Sequence, residues 1–131
     1  MSTKELSPEL QEQLETIVEG RASFAEVERT LYSQDLGTVP SLFRPLLGST
    51  LPDAVTQPAS EAELIELAKW SRQRGGALVP RGRSTSGYGG ALALGGGVVV
   101  DFTRMNRVVE VNREELVATV EPGLVWQELD Q

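Results

Sequence analysis

The sequence predicts an α+β domain preceded by an N-terminal helical arm, and three features predict it. Apolar residues recur at helical spacing behind good capping residues, first near the N-terminus and again after residue 60. Short β-branched runs lie between residues 53 and 120. Nine of the thirteen glycines fall between Gly75 and Gly97, so a long loop must interrupt the regular elements. The 131 residues suffice for one domain and not for a multi-domain enzyme. The expected division is an arm over 1–36, a linker over 37–51 and an incomplete domain over 52–131.

Each element has a local cause. Ser7-Pro8 starts a helix, because serine caps well and proline suits the first helical position. Leu10, Leu14, Ile17 and Val18 share one face, and Gly20 is a natural stop. Ser23 and Glu26 have capping-box spacing for a second helix with Val27 and Leu31 inward. Pro40, Pro45, Pro52 and Pro58 make residues 37–58 extended, with a short strand at Asp53–Thr56. Ser60 and Glu63 repeat the capping-box spacing. Leu64, Ile65, Leu67, Ala68 and Trp70 form the inner side of that helix, and Gly75-Gly76 ends it. Ala77–Val79 reads as a strand broken by Pro80, and Val98–Val100 as a buried strand. Arg107–Val111 and Leu116–Val120 pair as a hairpin. Glu121-Pro122-Gly123 is a turn. Leu124, Val125 and Leu129 open a helix that nothing closes before Gln131, so the sequence reads as a fragment of a longer chain. Trp70 and Trp126 read as packing residues.

Composition narrows the chemistry. The net charge of −7 argues against nucleic acid, whose phosphates require a basic face. Residues 67–100 contain Lys69, Arg72, Arg74, Arg81 and Arg83 and no acid. That local excess points to a small anionic ligand. With no Cys and no His, disulfides, zinc sites of those ligands and Ser-His or Cys-His couples are excluded from this chain. Met1–Leu10 has no apolar signal segment and no apolar run spans a bilayer, so the expected location is cytoplasmic. No metal site is expected.

The stretch Pro80-Arg81-Gly82-Arg83-Ser84-Thr85-Ser86-Gly87 is the candidate ligand loop. Glycines admit close backbone approach, and consecutive amides in such a loop form an anion nest. Ser84, Thr85 and Ser86 add hydroxyls, and Arg81 and Arg83 add charge, which together suit a diphosphate. Gly82 and Gly87 have P-loop spacing, but Tyr88 stands where the lysine is required. Gly87 and Gly89 begin a dinucleotide fingerprint that Leu92 breaks. The phosphates must therefore be held by the loop itself. For Arg81 three readings stand open: contact with the diphosphate, capping of a carbonyl, or pairing with Asp101. Arg83 reads as a solvated loop residue, and Arg72 and Arg74 as a solvated helix end.

These residues resemble the Pro-Arg-Gly-Gly-Gly-Thr-Ser loop of the vanillyl-alcohol-oxidase-like, PCMH-type FAD-binding domain, in the branch that holds glycolate oxidase and D-lactate dehydrogenase. Pro52-Asp53-Ala54-Val55 with Pro58, Ser60 and Glu63, Val98–Asp101 with Arg104–Arg107, and Val120-Glu121-Pro122-Gly123 resemble further blocks of that family in the same order. Arg83 and Ser84 depart from it, standing where the family has glycine. Tyr32-Ser33-Gln34-Asp35 resembles a short segment before the domain, with no mechanism evident in sequence.

The resemblance implies the first subdomain of a PCMH-type fold, with FAD bound by Pro80, Arg81, Gly82, Arg83, Ser84, Thr85, Ser86 and Gly87, and with Pro122 and Gly123 near the flavin. It implies a flavin-dependent oxidoreductase acting on a glycolate- or D-lactate-like 2-hydroxy acid through a domain outside this chain, with an iron–sulfur electron-transfer partner. A sugar-lactone oxidase or cell-wall precursor reductase of the same fold, or a truncated non-catalytic fragment, are the alternatives. Histidine is the usual catalytic base, and this chain has none, so the base is unknown and expected elsewhere. In His-tethered members a histidine lies close to the position of Thr85; without His or Cys, FAD here is expected to be non-covalent.

Overall fold

The computed structural model describes residues 5–37 and 48–130. Most of the expected linker, all of Pro40 and Pro45 and the first four residues of the arm lie outside the described residues, as does Gln131.

Helix α1 (Pro8–Ile17) starts as expected, with the Ser7 hydroxyl accepting from the Leu10 amide. Strand β1 (Ala22–Ser23) follows, and then helix α2 (Glu26–Leu31). Strands β2 (Ala54–Thr56), β3 (Leu78–Arg81) and β4 (Val98–Asp101) form with β1 a four-stranded sheet of order β1-β2-β4-β3. β2 and β3 both run parallel to β4, and β1 runs antiparallel to β2. Helix α3 (Glu61–Arg74) makes the crossover from β2 to β3. A 3-10 turn at Phe102–Arg104 leads to the separate hairpin of β5 (Val108–Asn112) and β6 (Val117–Val120), and helix α4 (Trp126–Leu129) ends the described chain.

Alternation along the central strands divides the core between the two faces of the sheet. Ala54, Val98 and Val100 pack with Leu14 and Val18 of the α1 segment and Leu67 and Trp70 of α3. Val55 and Val99 pack on the other face with Ala93, Tyr32 and Val79. The arm therefore joins the same core, and Trp70 Nε1 donates to Gln13 Oε1 at 3.1 Å across the two helices.

Several expectations are corrected. Ser23 lies in β1 and does not cap α2, whose N-cap Ala25 makes no side-chain bond. Val27 and Leu31 are 81% and 70% exposed, while Arg29 is 8% exposed and donates to the Pro52 carbonyl at 2.7 Å. An extended carbonyl from across the chain selected the inner face of α2, and such a partner is invisible to periodicity. Ser60 does cap α3, but Glu63 reaches back to the Ala59 amide at 3.0 Å. Ile65 and Ala68 face solvent beside buried Leu67 and Trp70. Gly75 closes the helix in the left-handed conformation. Pro80 does not end β3: it pairs in register with Val100. β3 is the edge strand, where a missing N–H on the open side costs no ladder bond. Trp126 is 84% exposed, since none of the described residues covers it.

Candidate functional site

The carboxyl ends of β2, β4 and β3 open on one edge of the sheet, the position where ligands bind parallel α/β sheets. The glycine-rich loop leaves β3 at that edge. Asp101 ends β4 there, and the chain returns at Pro122, whose carbonyl lies 3.6 Å from where a Cβ on Gly82 would sit. The structure thus brings Pro80–Gly87 and Pro122-Gly123 together, although some 35 residues separate them in sequence.

Gly123 is buried with its amide donating to the Met105 carbonyl at 2.8 Å. A Cβ there would overlap the Phe102 carbonyl oxygen and lie 2.9 Å from that of Met105. The base of the hairpin is held by Arg107, whose Nη2 and Nε bond Glu121 Oε1 at 2.7 and 3.1 Å. That hydrogen bonding raises the Arg107 pKa and lowers that of Glu121.

Within the loop, Ser84 takes φ of 53°, a conformation that glycine enters without steric cost, at a position where the resembled family has glycine. Its Oγ is buried and, among the described residues, has no hydrogen-bond partner. Thr85, Ser86 and Gly87 are exposed, as is Arg83. Among the described residues the amides of Arg83 to Gly87 donate no hydrogen bond, whereas those of Tyr88 and Gly89 are engaged by Ser86 Oγ and Asp35. A run of available amides beside an orphaned hydroxyl is the donor set that an anionic diphosphate would satisfy.

The local charge excess proves to be divided. Arg72 and Arg74 stand in the last exposed turn of α3, at the amino-terminal edge of the sheet, and Lys69 pairs with Glu66 at 2.7 Å. Only Arg81 and Arg83 belong to the loop. Arg81 caps two carbonyls and makes no ion pair with Asp101: Nη1 donates to Tyr32 O at 3.0 Å and Nη2 to Gln34 O at 2.9 Å. The guanidinium also lies 5.0 Å from the centroid of the Tyr32 ring, within cation–π range. Asp101 is bound instead by Tyr32 Oη at 2.6 Å, Gln57 Nε2 at 3.0 Å and the Thr103 amide at 2.9 Å. Burial, then the bond to Asp101, pushes the Tyr32 phenol up to about 12, so it remains a donor. A cleft of about 340 Å³ is lined by Tyr32, Arg81, Gly82, Arg83, Asp101 and Thr103, with Leu31.

Sequence reasoning missed Tyr32, Asp35 and Gly37. The only signal was the resemblance of Tyr32–Asp35 to a short family segment, because their contacts reach 54 and 69 residues along the chain.

A glycine loop at the carboxyl edge of parallel strands, with no helix behind it and a second turn folded against it, defines a nucleotide-binding domain of the flavoprotein kind. The chain belongs to the family described as FAD binding domain, whose model matches residues 52–131, and FAD is its cofactor. It is 34% identical over 128 residues to the mitochondrial D-lactate dehydrogenase [cytochrome] of Arabidopsis thaliana, covering 98% of this chain and 22% of that one. The glycolate oxidase protein GlcD of Bacillus subtilis is 36% identical over 76 residues, covering 58% and 16%. The chain thus spans about a fifth of the length of these relatives. In structure it resembles substrate-bound p-cresol methylhydroxylase, with a TM-score of 0.76 at 17% identity over 93% of this chain and 23% of that one. The fold is the PCMH-type mixture of helices and sheet. Among the described residues no helix is long and apolar enough to cross a membrane.

Proposed function

We propose that this chain supplies the diphosphate-binding half of an FAD site in a 2-hydroxy-acid dehydrogenase. The observation that carries the proposal is the buried Ser84 Oγ, without a partner among the described residues, beside the amides of residues 83–87, which make no bond among them. Gly82, Ser84, Thr85, Ser86 and Gly87 would hold the diphosphate through amides and hydroxyls, flanked by Pro80, Arg81 and Arg83. Pro122 and Gly123 would lie near the flavin. Residues 52–131 form this binding unit, with 1–36 as its arm and 37–51 as the connection.

FAD, when bound, supplies the hydride acceptor; this chain's part is to bind and orient it. The D-lactate and glycolate in the names of the two relatives support a small 2-hydroxy acid as substrate, taken by a part of the protein outside this chain. One relative is named as one subunit of an oxidase and the other carries cytochrome in its name, which supports transfer of electrons onward to another redox protein. An iron–sulfur partner and a cytoplasmic location belong to the same proposal.

The test is Gly82→Val in the flavoprotein that carries this chain. Its branched side chain would fill the space between the loop and Pro122 O. The expected result is a folded protein that purifies without flavin; a folded variant with normal flavin content would refute the assignment.

A further inference from the structure

The loop is held at both ends by one short stretch of the arm. At its entrance Arg81 spans the carbonyls of Tyr32 and Gln34. Tyr32 is in turn fixed to Asp101 at the end of the neighbouring strand. At its exit, Asp35 Oδ2 accepts from the Gly89 amide at 2.9 Å, while Oδ1 accepts from Gly37 at 2.8 Å. Between these bonds the two backbones touch: a Cβ on Gly87 would lie 3.3 Å from Gly37 Cα, and one on Gly37 would overlap the Gly87 carbonyl oxygen. Between the two anchors the amides of Gly82 to Gly87 make no bond among the described residues.

A glycine-rich loop loses much conformational freedom when a ligand orders it. Anchoring both ends before the ligand arrives removes part of that loss. We infer that Tyr32–Gly37 is the seat that shapes the loop, and that Asp35 and Arg81 are positioning residues for the diphosphate site, acting through the backbone without touching the ligand. The ligand part of the inference rests on the proposed function; the seating of the loop does not.

Two near-isosteric variants test it. Asp35→Asn keeps one acceptor but turns an N–H₂ toward one of two N–H donors. Arg81→Lys can span only one of the two carbonyls. In hydrogen–deuterium exchange of the 131-residue chain, both should speed exchange of the Tyr88 and Gly89 amides, the bonded ones at the loop's exit, by roughly ten-fold or more, with β4 (Val98–Asp101) as protected as in the wild type. Unchanged exchange at Tyr88 and Gly89 in a variant that keeps β4 protected would overturn the inference. If Asp35→Asn fails to fold, Arg81→Lys, anchored at the other end, decides alone. In the flavoprotein, each variant should weaken FAD by roughly 10- to 100-fold, the loss of one hydrogen bond to a charged group. An unchanged flavin affinity would overturn the positioning role. A wild-type protein that takes no flavin would defeat the proposed function and leave the exchange result to judge the seat.

Discussion

Gly123→Ala tests whether the hairpin is locked to the sheet by a single close approach. A Cβ at this position would overlap the Phe102 oxygen and sit 2.7 Å from the Phe102 carbonyl carbon and 2.9 Å from the Met105 oxygen. Ordinary non-bonded separations are about 3.5 Å, so the turn must retreat by about 1 Å or more. The obstacle on every side is backbone, and no rotamer can relieve it. Retreat stretches the 2.8 Å bond from the Gly123 amide to Met105 and, beside it, the 2.9 Å bond from the Glu121 amide to Arg107. Gly123 is buried, so water cannot readily replace the first. One weakened and one stranded backbone bond together cost about 2–4 kcal/mol. Urea denaturation followed by circular dichroism reads this directly, as a lower midpoint at unchanged slope. A variant within about 0.5 kcal/mol of the wild type, the range of an ordinary surface substitution, would refute the reasoning and show that the turn is free to move.

Two further outcomes follow from single residues. Glu63 accepts from Arg21 at 2.7 Å; burial pushes its pKa up, but the bonds from Arg21 and the Ala59 amide outweigh this and hold it below its ordinary value. A depressed folded pKa stabilises the fold above the unfolded value of about 4.3 and ceases to as pH falls through the folded one. Glu63→Gln should therefore cost about 1–3 kcal/mol near neutral pH. The gap from wild type should narrow below about pH 4, and a gap that stays constant in urea melts across that range would contradict the assignment. Ser84→Gly should move stability and ligand affinity in opposite directions: relief of the left-handed serine stabilises the free chain by up to about 1 kcal/mol, while loss of the hydroxyl weakens flavin by roughly ten-fold. Thermal melts and flavin titration that move together would count against a ligand role for Ser84.

Local chemistry made much of this protein legible from its sequence. Ser7-Pro8, the Ser60 cap, the Gly75 stop and the Val98–Val100 run each specify their element through bonds or sterics within a few residues. The Pro80–Gly87 stretch carried the family resemblance for a similar reason, since its glycines and hydroxyls lie in one contiguous run. Tertiary structure decided what faces what. α2 turned on Arg29 because the Pro52 carbonyl lay within reach. Pro80 stayed within a strand because β3 is an edge. Trp126 and the valines of β5 and β6 remain exposed, because pairing the two strands leaves both faces of that hairpin without cover from the described residues. Arg81, legible only as a choice among three partners, caps carbonyls 47 and 49 residues away. Period and capping are properties of adjacent residues, whereas burial and hydrogen-bond partners depend on chain segments that only folding brings together.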